Sequence, residues 1–128
     1  HGVAPKQDTY QYLILPGMDK ENVAAFNLSD IQILRNDATA QAVYSEGNTT
    51  CWVAAYQPVQ LTVSTDLILN IQTPGIYMIR KNESGRYVIN YADPTQQRNV
   101  AELELNHKKV RLSLPEGKEK GKTTSIVG

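Results

Sequence analysis

Between Val100 and Leu114 apolar and charged side chains alternate with a period of two, and this restricts the segment to a half-buried antiparallel hairpin. Ala101, Leu103 and Leu105 fall on one face, with Glu102 and Glu104 on the other. After Asn106-His107, Val110, Leu112 and Leu114 share a face opposite Lys109, Arg111 and Ser113. A two-residue turn at Asn106-His107 sets Leu103 against Val110 and Ala101 against Leu112. The same register sets Glu104 against Lys109 and Glu102 against Arg111. Each such pair contributes about 0.2–1 kcal/mol, and a one-residue slip loses both sets. Asn and His both tolerate the positive φ that a tight hairpin turn requires.

The remainder of the chain repeats the theme in short pieces. Ile31–Leu34, Ala40–Tyr44, Cys51–Tyr56, Val59–Val63, Leu67–Ile71, Ile76–Arg80, Arg86–Ala92 and Thr123–Val127 are rich in β-formers. Asn36-Asp37, Glu46-Gly47-Asn48, Thr73-Pro74-Gly75, Ser84-Gly85 and Asp93-Pro94 supply turn chemistry between them. Short strands at this spacing predict an all-β sandwich or barrel. Thr9 to Leu15 reads as a further strand ending at Pro16-Gly17. Asp19 caps the single expected helix, which runs to about Phe26 with Val23, Ala24 and Phe26 as a partial apolar face. At 128 residues the chain can bury roughly two thirds of its unfolded surface without staples.

Charge and composition narrow the function classes. Lys plus Arg and Asp plus Glu are 13 each, so bulk charge argues against a nucleic-acid binder. No apolar run approaches the length of a membrane helix. A lone cysteine, Cys51, excludes an internal disulfide and a cysteine-built zinc site, and its place on an apolar strand suits a buried thiol. The chain opens His1-Gly2 without methionine, as a processed chain or an excised piece would, so targeting information can have been removed. Residues 106–128 hold six basic and two acidic side chains, whereas the preceding 105 are net acidic. Lys118, Lys120 and Lys122, in the solvated segment Glu116 to Lys122, are therefore the weak candidates for contact with an acidic polysaccharide.

Catalytic signals are missing from the residues themselves. His107 reads as a solvated turn residue, Asp93 as a turn initiator before Pro94, and no metal, nucleophile-elbow or phosphate-loop motif occurs. Seven tyrosines and Trp52 against one phenylalanine favour rings with a polar handle, which suit sugar stacking as well as packing. Packing is the better reading for each, Tyr10, Tyr12, Tyr87 and Tyr91 included, and Trp52 is expected in the core.

Three stretches carry a family resemblance. His1-Gly2-Val3-Ala4-Pro5 with Tyr10-Gln11-Tyr12-Leu13-Ile14-Leu15-Pro16-Gly17 resembles a signature late in the central β-domain of family 8 polysaccharide lyases, the chondroitin, hyaluronan and xanthan lyases. Ile31-Gln32-Ile33-Leu34-Arg35-Asn36 with Gln41-Ala42-Val43 resembles that family's entry into its C-terminal β-domain. Tyr91-Ala92-Asp93-Pro94-Thr95-Gln96-Gln97 and the following hairpin are similar to its Asp/Asn-Pro-Thr-Gln segment.

The resemblance implies an antiparallel β-sandwich with one short helix near the N-terminus. Residues 1–29 would end the lyase central β-domain, and residues 30–128 would form the C-terminal β-sandwich. Family members cleave glycosidic bonds beside a uronic acid by β-elimination, using Asn, His, Tyr and Arg residues of an α-helical toroid. None of these maps onto this chain, and His1 matches the fold signature instead, so no catalytic residue, metal or cofactor is assigned and the chain alone is expected to be inactive. The implied partners are the remainder of the parent lyase and an acidic polysaccharide, with no nucleic acid or membrane, in a secreted or periplasmic bacterial setting. Lacking its neighbours, the N-terminal segment is expected to pack differently or to be supported by a second copy. The rival readings are a stand-alone carbohydrate-binding module, marked by a line of exposed aromatics, and an adhesion sandwich, marked by an apolar surface.

Overall fold

The computed structural model describes residues 12–128. Helix α1 (Lys20–Ala25) starts where expected, with the Asp19 carboxylate accepting the Asn22 N–H at 2.8 Å. None of its residues is buried, so its expected apolar face meets no core. Tyr12–Leu15 is not a strand, which corrects the expectation for Thr9 to Leu15; residues 9–11 of that segment lie outside the described residues. The propensity is present, but propensity alone does not fix a strand, and the two sheets are built from the strands after Asp30.

Ten antiparallel strands among the described residues form two sheets. Three meander first, β1 (Ile31–Asn36), β2 (Ala40–Ser45) and β3 (Thr50–Ala55). The chain then crosses to the second sheet for β4 (Val59–Ser64) and β5 (Leu67–Ile71), and returns for β6 (Gly75–Lys81) and β7 (Tyr87–Ala92). It crosses again for β8 (Val100–Leu105) and β9 (Lys108–Ser113), and finishes in the first sheet with β10 (Thr124–Val127). The orders are β1-β2-β3-β6-β7-β10 and β4-β5-β8-β9. This is an all-β sandwich.

The β8–β9 hairpin has the register that side-chain alternation demands: Leu103 opposite Val110, Ala101 opposite Leu112, Glu104 opposite Lys109 and Glu102 opposite Arg111. Asn106 and His107 take φ of 49° and 66°, the left-handed pair of a tight hairpin turn. Asn106 does more than turn the chain. Its side chain accepts the Ile68 N–H at 2.8 Å and donates to the Asp66 carbonyl at 2.8 Å, fastening this turn to the β4–β5 turn.

Alternate residues of both sheets close one core, with Cys51, Leu69, Ile71, Tyr77, Ile79, Ile89, Tyr91 and Ala101 fully enclosed. Trp52 is not among them. It is 43% exposed, because Cys51, Val53 and Ala55 occupy the inward positions of β3 and the pleat turns Trp52 outward.

The crossover from β5 to β6 is closely packed. Tyr77 and Tyr91 pack with ring centroids 4.8 Å apart, and their hydroxyls donate to the carbonyls of Thr73 (2.6 Å) and Pro74 (2.9 Å). Gly75, at φ 154°, lies directly under the Tyr91 ring, where an added Cβ would meet ring carbon at 2.3 Å. Replacing Gly75 by Ala is therefore expected to cost about 2 kcal/mol or more, read as a lowered urea midpoint. His107→Gly, which relieves a left-handed non-glycine residue, is expected to raise that midpoint by about 0.5–1 kcal/mol equivalent.

Candidate functional site

The crossover from β7 to β8 contains the Asp93-Pro94-Thr95-Gln96-Gln97 stretch, and the structure shows what it does. Asp93 is 5% exposed and gathers five donors. One carboxylate oxygen accepts the Thr95 N–H (3.0 Å), the Thr95 hydroxyl (2.6 Å) and the Arg98 guanidinium (2.9 Å). The other accepts the Gln97 and Arg98 backbone N–H groups at 3.0 and 2.9 Å. Burial alone would raise this carboxyl, but the Thr95 hydroxyl and the three N–H groups outweigh it and hold the group far below the usual carboxylate range. A buried acid with every lone pair engaged organises a loop and has no site free for a substrate.

Cys51 and Asp66 are also held by the fold. Burial pushes the Cys51 thiol up to about 12, so it is not a nucleophile. His107 is exposed at its hairpin turn. Asp66 accepts from Ser64 at 2.7 Å and from Lys81 at 2.8 Å, with Tyr87 at 3.3 Å, which brings its carboxyl down to about 2. Lys81 also lies 5.6 Å over the Tyr87 ring. This cluster ties β6 and β7 of one sheet to the β4–β5 turn of the other. Among the described residues no three His, Cys, Asp or Glu side chains converge as metal ligands would.

Three surfaces remain. The basic segment is exposed and contains a short 3-10 turn (Gly117–Glu119). Lys118 sits on that turn, Lys120 follows it, and Lys122 pairs with Glu119. The three lysines thus share one exposed segment, and Glu119 draws off part of its charge. The outer face of the four-stranded sheet is polar and carries an open groove lined by Gln72, Glu102, Glu104, Lys109, Val110 and Arg111. Arg111 lies 3.7 Å from Glu102, Lys109 stands opposite Glu104 in the hairpin, and Asn70 donates to Glu104 at 3.0 Å.

The outer face of the six-stranded sheet is different in kind. Cross-strand pairing aligns Ile33 with Val43, Val43 with Trp52, and Trp52 with Met78 in one continuous row. Ile33 and Trp52 are 44% and 43% exposed. The N-terminal segment runs along one end of this row, where Tyr12, Leu13, Leu28, Ile31, Ile33 and Val43 line an apolar groove. Sequence reading missed this row. Its signal was the period-two placement of Trp52 between Cys51 and Val53, which the apolar run around it masks.

The profile of the polysaccharide lyase family 8 C-terminal beta-sandwich domain matches residues 32–102, more than half of the sequence. The chain belongs to that family. It is 28% identical to the Chondroitinase-AC of Pedobacter heparinus over 98% of its own length and 19% of that protein's. It is 27% identical to the Chondroitin sulfate ABC exolyase of Bacteroides thetaiotaomicron over 73% of its length, which is 9% of that enzyme. A solved structure of chondroitinase AC lyase, from work on its enzyme–oligosaccharide complexes, superposes with a TM-score of 0.75 at 25% identity over 88% of this chain and 17% of that one. The chain therefore spans a fifth or less of the length of these relatives, and the part it shares is the β-sandwich.

Asp93 gives a direct test of the loop's role. Because its folded-state pKa is depressed, it adds stability that is present above the unfolded value near 3.9 and is lost as pH falls. Wild type is expected to lose stability progressively below about pH 5. Asp93→Asn, which turns an amide NH₂ toward N–H donors, is expected to cost about 3 kcal/mol at neutral pH. Its stability should also fall less steeply with acid than wild type. Asp66 and Asp37, held low by their own donors, titrate alike in both proteins and cancel in the comparison of denaturation midpoints.

Proposed function

We propose that this chain is the non-catalytic C-terminal domain of a larger polysaccharide lyase that cleaves uronic-acid-containing glycosaminoglycans, chondroitin sulfate or hyaluronan, by β-elimination. The observation that carries this reading is the family match over residues 32–102 in a chain that spans only 19% of a chondroitinase relative. The engaged state of Asp93, Cys51 and Asp66 supports a structural role. On this reading residues 1–29 belong to the preceding domain, and residues 30–128 buttress it. Exposed α1 and the Tyr12–Leu15 segment, which forms no strand, are in keeping with such a division. The substrates are extracellular polymers too large to enter a cell, which makes the setting secreted or periplasmic. Lys118, Lys120 and Lys122 provide weak, salt-sensitive contact with the polyanion.

Trp52 and Tyr56, 43% and 55% exposed at the outer side and end of β3, favour a second reading, a carbohydrate-binding module. Calorimetric titration with chondroitin sulfate and hyaluronan separates the two. A structural domain is expected to bind only at low salt, to lose that binding when Lys118, Lys120 and Lys122 are changed to Ala, and to release no unsaturated product. Binding that survives physiological salt and quenches Trp52 emission would establish the module instead.

A further inference from the structure

We propose that the segment Glu116 to Lys122 is a preorganised polyanion contact, in which Lys118 and Lys120 meet the anionic groups of a glycan and Gln96 is the positioning residue that holds them in place. This rests on the reading of Lys118, Lys120 and Lys122 as the surface that touches an acidic polysaccharide. The segment is fixed against the β7–β8 connection and the strand that leads into it. Where the chain leaves β9, the Leu114 N–H donates to the Asn99 carbonyl at 2.8 Å. Where it enters β10, Thr124 pairs with Tyr91, just before Asp93. Between them Gly121, at φ 85°, lies so close to Gln96 that an added Cβ would stand 3.1 Å from its Cγ and Nε2. Gln96 is fixed in turn. It takes a left-handed φ of 56°, and its N–H donates to the Asp93 carbonyl at 3.2 Å. The Thr95 and Gln97 N–H groups on either side donate to the Asp93 carboxylate. A non-glycine residue holds that conformation where its surroundings over-determine it. The buried Asp93 thus sets the platform on which the lysine segment rests.

The fold of the segment also sorts its lysines. The Glu119 and Lys122 N–H groups donate at 3.1 Å to the Glu116 and Glu119 carbonyls and turn the chain back, which brings the Lys122 ammonium onto the Glu119 carboxylate. Lys118 and Lys120 are exposed, and no ion pair engages either of them among the described residues. Two of the three cations are therefore free for a ligand. A compact ammonium group suits carboxylate and sulfate alike, whatever their orientation. The effect of the seat is entropic. Gly117 and Gly121 leave a loop of this composition many conformations unless a contact removes them, and a loop already ordered loses less on binding.

Variants that conserve charge separate a built contact from net charge alone. The probe is chondroitin sulfate, titrated at low salt into the 128-residue chain, whose core is closed by its own residues, and into each variant, with unfolding temperatures read alongside. Gly121→Ala strains a left-handed position and crowds Gln96, whereas Gln96→Ala removes the side chain that Gly121 lies against. Neither alters a charge, and each is expected to weaken binding roughly threefold. Gly85→Ala strains the β6–β7 turn, at φ 78° with open space around it at the opposite end of β7, and should bind as wild type. Glu119→Gln frees Lys122 and should tighten binding about twofold more than Glu83→Gln, which removes the same charge from the β6–β7 turn. Wild-type affinity in both Gly121→Ala and Gln96→Ala, or equal gains from Glu119→Gln and Glu83→Gln, would overturn the proposal and leave a diffuse charge effect. If Gly121→Ala fails to fold, Gln96→Ala decides alone. A wild-type chain that binds no chondroitin sulfate at low salt would overturn the reading of the lysines and the proposal together.

Discussion

The sandwich depends on the clamp that Tyr77 and Tyr91 place on the crossover between β5 and β6. Two hydroxyls take successive carbonyls, Thr73 and Pro74, and the Tyr91 ring lies on Gly75 where no side chain fits. The same crossover is held from the other sheet, since the Gln72 and Thr73 N–H groups both donate to the Glu102 carbonyl and the Glu102 N–H donates to the Thr73 hydroxyl. Three residues of connecting chain, Gln72, Thr73 and Pro74, thus satisfy partners in both layers. Because buried tyrosine hydroxyls need acceptors, the two rings and the loop conformation require each other.

The other crossings solve the same problem by different chemistry. Asp93 gathers five donors to fold the β7–β8 connection. Asp66, Lys81, Tyr87 and Asn106 join the β4–β5 turn to both β6–β7 and the β8–β9 hairpin. At the β3–β4 crossing, the Tyr56 and Gln57 N–H groups share the Thr39 carbonyl. The tilt of composition toward tyrosine follows from this. In Tyr77, Tyr87 and Tyr91 the polar handle bridges the ring's packing site to a connecting loop, which phenylalanine cannot do.

A fold tied at its crossings in this way keeps its interior closed and leaves its two outer faces to differ freely. One outer face is polar, while the other carries an apolar strip that ends in the groove lined by Tyr12, Leu13, Leu28, Ile33 and Val43. That asymmetry is what a domain within a longer polypeptide needs. It supports the proposed role as a buttress, because a surface apolar on one side alone has an orientation.

Much of this was legible in the residues. The β8–β9 register followed from local alternation, because a pleated strand sorts side chains by parity and a mismatch is penalised at every position. The Asp19 cap, the buried Cys51 and the turn at Asp93-Pro94 were likewise local matters of hydrogen bonding and propensity. Trp52 and Tyr12–Leu15 were not. Hydrophobicity assigned both to packed structure, yet whether Trp52 faces in is a question of which parity its sheet buries, and whether Tyr12–Leu15 pairs is a question of what stands beside it. Lys118, Lys120 and Lys122 were visible as charge, but the partnership of Lys122 with Glu119 required the turn between them. Strand identity, turn chemistry and hairpin register are written in neighbouring residues, since their energies act over a few positions. The layer order, the clamp on Gly75 and the apolar strip arise from side chains far apart in sequence, and only packing the two sheets together decides them.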